Sequence, residues 1–158
     1  MLTGCVASAG APVLAWRQHS DIYLHWHGVR GPSEMMSLKI APGAGSDLAS
    51  VFTPPDAGTF WFGPVADVSR QREMGLYGLL IVEEAQPVSG INDLPMVLDD
   101  WQILDDGTID EGSFGSLDDA IGQGRLGNWF TVNGQYRPQL EIPRGLVSRL
   151  RLLNAANV

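Results

Sequence analysis

The chain has 158 residues, enough for one domain or for one and part of another, and its 44% hydrophobic content can supply a core. A formal net charge of -8 argues against nucleic acid as a partner, because phosphates demand basic patches, and equally against an anionic membrane surface. The single cysteine, Cys5, excludes an intrachain disulfide and a cysteine-rich zinc site, while 19 Gly and 10 Pro with few helical patterns favour an all-β chain rich in turns.

Residues 1–10 are small and weakly polar and read as an unstructured lead-in or a leader remnant. Leu2-Thr3-Gly4-Cys5 looks like the cleavage box of a bacterial lipoprotein. A signal peptide needs a basic start and about 7–15 apolar residues ahead of that box, and only Met1 stands before Leu2, so lipidation at Cys5 is not expected from this chain as it stands. From Pro12 to Tyr23, Val13, Leu14, Trp16 and Ile22 are consistent with one or two strands, and His19, with no motif around it, reads as a surface histidine.

The next stretch organises the rest. Leu24-His25-Trp26-His27-Gly28, flanked by apolar and aromatic residues, predicts a β-strand. Side chains alternate faces along a strand, so His25 and His27 project from one face and Trp26 from the other. With only 3 His in the chain, two on one face invite a metal reading, since imidazole suits copper, zinc, iron and nickel. Spacing alone favours the plainer alternative, two polar residues on a solvated face with Trp26 in the core. Two strand steps cover about 6.6 Å, whereas two metal–nitrogen bonds of roughly 2 Å each reach only about 4 Å. Sharing one ion would therefore require the rings to tilt inward.

Val29 to Pro32 opens a turn, Ser33 to Lys39 reads as a loop, and Ile40-Ala41-Pro42-Gly43 turns into a strand ending at Val51-Phe52. Pro54-Pro55-Asp56-Ala57-Gly58 makes a rigid turn before the β-rich Thr59 to Phe62. Leu79 to Val82 is a continuous apolar run suited to a strand buried on both faces. Glu83 to Asn92 reads as a linker and Leu94 to Ile103 as a strand, with Asp106-Gly107 and Asn133-Gly134 as hairpin signals. A calcium loop with Gly107 sixth would need Gln102 as its acidic first ligand and Ser113 as its bidentate last one, and neither can serve. The remaining carboxylates between Asp99 and Asp119 are read as a solvated loop. After the turn at Pro143-Arg144-Gly145, Ser148 to Leu153 predicts a strand with Leu150 and Leu152 toward a core and Arg149 and Arg151 outward. No run approaches the ~20 apolar residues of a membrane span.

The wording of several stretches adds to this. His25-Trp26-His27-Gly28 resembles the first copper-binding motif of the multicopper oxidases, the laccases and their relatives. Thr53 to Phe62 resembles the family's second motif region, and Met74 to Glu83 the strand that follows it. Leu98-Asp99-Asp100-Trp101 and Asn133-Gly134 resemble the start of its second domain. The resemblance implies an all-β, Greek-key β-sandwich of cupredoxin type over residues 11–86, a linker over 87–93, and the opening strands of an incomplete second cupredoxin-like domain over 94–158. It also implies a periplasmic or secreted location, and a second chain or further C-terminal domains that complete the fold.

Members of that family take electrons from a reducing substrate at one copper and pass them to a three-copper cluster that reduces dioxygen, the cluster being held by four His-x-His-type motifs. By resemblance His25 would bind the solitary copper of the cluster and His27 one of the paired coppers. The second motif departs from the pattern. Where the family has Gly-Thr-Phe-Trp-Tyr-His-x-His, this chain has Gly58-Thr59-Phe60-Trp61-Phe62-Gly63-Pro64-Val65, and neither Gly63 nor Val65 can coordinate copper. The third and fourth motifs are absent, and Cys5 has no His-Cys-His around it. The expectation is partial or weak copper binding at His25 and His27, no closed cluster in this chain alone, and no assigned catalytic residue. Three readings stand: an incomplete or degenerate oxidase, a copper-binding module without turnover, and a structural descendant that has discarded copper.

Overall fold

The computed structural model describes residues 5–6, 21–41, 53–122 and 124–157. The expectations for residues 7–20, including His19, and for the strand ending at Val51-Phe52 lie outside the described residues. The chain divides into two units, one made of residues 1–66 and 77–89, the other of 67–76 and 90–158. Residues 67–76, placed in the first domain by the sequence reading, thus cluster with the second unit.

The first unit holds a five-stranded antiparallel sheet in the order β1-β5-β4-β2-β3. Its strands are β1 (Cys5–Val6), β2 (Ile22–His27), β3 (Ser37–Ile40), β4 (Gly58–Pro64) and β5 (Gly78–Val82). Cys5 and Val6, read as part of an unstructured lead-in, instead pair with Val82 and Ile81 on the edge of β5. Ser33 to Lys39 is also more ordered than a loop: one helical turn, α1 (Ser33–Met36), leads directly into β3, which closes on β2. Partners in register share a face. Leu24 therefore lies beside Pro64, Trp26 beside Phe62, and Phe60 beside Leu80. Ile22, Leu24, Leu80 and Val82 are buried on this face, and Trp26 meets Phe62 edge-on at 5.2 Å. The opposite face carries His25, His27, Trp61 and Gly63.

The second unit centres on β6 (Ile91–Trp101), antiparallel to β7 (Trp129–Val132) and parallel to β8 (Val147–Asn154). Pro95 is tolerated within β6 because β7 begins its pairing only at Leu98. Beyond that point Asn133 takes the place of a partner strand: its side chain accepts from the Val97 N–H and donates to the Pro95 carbonyl. The helix α2 (Val68–Glu73) lies between β4 and β5 in sequence but belongs to this unit. Glu73 is 2% exposed, accepts from the Gln102 N–H at 2.9 Å, and forms an ion pair with Arg125, itself 4% exposed.

Two expectations are overturned here. Leu150 and Leu152 are 53% and 58% exposed, whereas Arg151 and Leu153 are buried at 8% and 7%. The register explains the inversion, because β8 places Arg149 opposite Asp93. The Asp93 carboxylate then accepts from both Arg149 and Arg151, so their charges sit on the inward face with a partner. Asp99 and Asp100, read as part of a solvated loop, are buried in β6. Asp99 accepts from the Asp100 N–H, and Asp100 accepts from the Gly127 N–H.

Candidate metal centre

β2 places His25 and His27 side by side, and β4 sets Gly63 opposite His25 and Trp61 opposite His27. The two imidazole centroids are 4.8 Å apart, with their planes at 80°. That is less than the ~6.6 Å of two strand steps, so the rings lean toward each other. On the other side of β2, Ser37 of β3 stands directly across from His25, and its Oγ is 2.8 Å from His25 Nδ1. Gly28, just past the pair, has φ +78°, a left-handed conformation that glycine adopts without strain. Arg30 then makes a two-armed ion pair with Asp56, 2.6 Å on each arm, tying the segment after the motif to the turn before β4. That contact holds the Asp56 carboxyl below its ordinary range.

The second-motif positions are filled differently. Trp61 shares its face with Gly63, and its indole lies flat on His27 at 3.8 Å and 7°. A β-carbon built on Gly63 would meet Trp61 Cζ3 at 2.6 Å. The indole thus occupies the space into which a side chain at 63 would extend. Val65 lies past the end of β4, 48% exposed, its N–H bonded to the Tyr23 carbonyl. A three-copper cluster does not fit these residues: among the described residues the face offers two imidazoles, and Gly63 and Val65, at the second-motif positions, carry no donor. Among the described residues, no group of three or more His, Cys, Asp or Glu could hold an ion.

Sequence reasoning paired His25 with His27 but missed Ser37 and the part played by Trp61. A signal for Trp61 was available, a large aromatic two residues before a glycine on the same strand face. Ser37 carried none, since its place across from His25 depends on the β2–β3 register.

Residues 17–87 match the multicopper oxidase family. The chain belongs to the multicopper oxidase family. It is 35% identical to a multi-copper oxidase from Pseudomonas thermotolerans, superposing with a TM-score of 0.78 over 90% of this chain and 36% of that one. A multi-copper oxidase from Pseudomonas parafulva gives 32% identity and a TM-score of 0.73 over 89% of this chain and 35% of that one. The fold is accordingly the all-β, cupredoxin-type sandwich of the family. Among curated proteins, cell division protein FtsP of Escherichia coli (strain K12) is 34% identical over 137 residues, 80% of this chain and 26% of that protein. FtsP of Aggregatibacter aphrophilus (strain NJ8700) is 33% identical over 111 residues, 62% of this chain and 21% of that protein. The chain therefore spans about a quarter of the length of these relatives. Among the described residues, no helix is long and apolar enough to cross a membrane.

Proposed function

We propose that this chain is a binding module of the multicopper oxidase family that holds a single copper ion weakly between His25 and His27 and does not, by itself, couple substrate oxidation to dioxygen reduction. The observation that carries this reading is the Trp61 indole, stacked on His27 and filling the space at Gly63 where the family has a ligand. What supports a residual site is the inward lean of the two imidazoles, 4.8 Å between centroids, on one face of one strand. By similarity to the proteins named for cell division, we infer that the module serves there as a non-catalytic partner, in the periplasm or outside the cell. The second unit supports a protein contact: Phe130, Leu150 and Leu152 lie exposed on the face of its sheet that carries no paired arginine. A second chain or further domains would cover it.

Copper content after loading, measured for wild type, His25→Ala, His27→Ala and the double variant, tests the site. Binding that falls in each single variant and vanishes in the double one supports it. Unchanged content in the double variant would remove it, and would favour the copper-free scaffold that the Trp61–His27 stack also suits. Oxygen-electrode measurements with phenolic and ferrous substrates test the second half. Sustained, chelator-sensitive turnover would refute it.

A further inference from the structure

We infer that Ser37 is a positioning residue that sets which nitrogen of His25 faces a metal, an inference that rests on the two-imidazole copper reading above. A neutral imidazole has one N–H and one lone pair, and only the lone pair can coordinate. The nitrogen that keeps the proton is decided by the hydrogen bond the other ring position makes. His25 Nδ1 has such a partner, the Ser37 Oγ at 2.8 Å. The contact is built into the sheet, because His25 and Ser37 are directly paired across β2 and β3. A metal on Nε2 obliges Nδ1 to hold the proton, and the Ser37 hydroxyl is placed to accept it. The same bond fixes the rotation of the ring, and so the direction in which Nε2 points relative to His27, whose ring stands at 80° to it.

A serine hydroxyl can donate as well as accept, so the copper-free protein is free to hold either tautomer. Binding through Nε2 selects the one in which Ser37 accepts. Without the hydroxyl, the Nδ1 proton of the metal-bound state loses its protein acceptor and the ring loses its anchor. Substituting a partner of this kind typically costs about 10–100-fold in metal affinity. Part of that loss is recoverable by water at a ring that is only partly buried, which sets the expected effect near the lower figure.

The test uses the full chain as wild type, Ser37→Ala and Ser37→Thr, with copper(I) delivered from a competing chelator. Nitrogen-15 NMR of the histidine rings is recorded before and after loading. Copper(I) affinity should fall about tenfold in Ser37→Ala and return to near the wild-type value in Ser37→Thr. The loaded wild type should show His25 protonated at Nδ1. Equal affinity in wild type and Ser37→Ala, or a loaded His25 protonated at Nε2, overturns the inference. Failure of wild type to bind copper(I) would sink the two-imidazole reading instead. The copper-free spectra then decide the role of Ser37: a His25 tautomer balance altered in Ser37→Ala upholds it, and identical spectra overturn it.

Discussion

Removing the Glu73 carboxylate should strongly destabilise the second unit. Glu73 and Arg125 are 2% and 4% exposed, so neither charge has water to fall back on. Arg125 is otherwise held by the Ser113 hydroxyl at 2.8 Å and the Asp110 carbonyl at 2.9 Å, with the Phe114 ring 4.7 Å from its guanidinium carbon. These contacts keep the guanidinium in place when its counter-charge is lost. Glu73→Ala therefore leaves a buried cation uncompensated, a change that costs about 3–5 kcal/mol. It also orphans the Gln102 N–H, now bonded to Glu73 at 2.9 Å, at about 1–3 kcal/mol. The two losses share one carboxylate and do not add in full, so about 4 kcal/mol is expected. A domain has roughly 5–15 kcal/mol in all. Replacing both partners, Glu73→Met with Arg125→Met, removes the stranded charge and should recover most of the loss. Urea unfolding followed by hydrogen exchange measures the change and locates it: amides of β6, β7 and β8 should lose protection before those of β2 and β4. A loss below about 1 kcal/mol in Glu73→Ala, or a double variant no better than the single one, would refute the reasoning.

Leu153→Ala should cost about 2–5 kcal/mol, whereas Leu152→Ala, at a site 58% exposed, should change stability by less than about 0.5 kcal/mol, both read from denaturant midpoints. Leu150→Asp with Leu152→Asp should reduce concentration-dependent association in light scattering without unfolding the chain, since both side chains are exposed. Gly63→Ala forces the Trp61 indole off its present position and should destabilise by about 1–3 kcal/mol, with a shift in the His27 ring resonances reporting the disturbed stack. The Arg149 hydrogen bond, seconded by Arg151, holds the Asp93 carboxyl well below its ordinary range against the effect of burial. A depressed folded value means stability that is present above the unfolded pKa and lost as pH falls through the folded one. Acid unfolding of wild type should therefore steepen below about pH 4, and Asp93→Asn should flatten that limb.

Much of the first unit was legible in the chain itself. Ile22 to His27 alternates cleanly enough to set two histidines on one face, and a strand's period of two leaves no other arrangement. Gly28, Asp106-Gly107 and Asn133-Gly134 mark turns because positive φ is open to few residues: Gly28, Gly107, Asn133 and Gly134 all adopt it. Loss of the second-motif ligands was equally local, since glycine and valine carry no donor at 63 and 65 whatever the fold. Tertiary structure decided what pairing decides. In Ser148 to Leu153 both faces alternate equally well, and hydrophobicity alone sent the leucines inward. Asp93, 56 residues away from Arg149 in the chain and opposite it in register, makes an inward arginine affordable. The buried position of Asp100 has the same origin, a backbone N–H at Gly127 that needed an acceptor. Ser37 reached His25, and Trp61 reached His27, through cross-strand neighbours that no period within a single strand encodes. A sequence can state which way a side chain points along its own strand. What stands opposite it is set by register, a relation between segments distant in the chain.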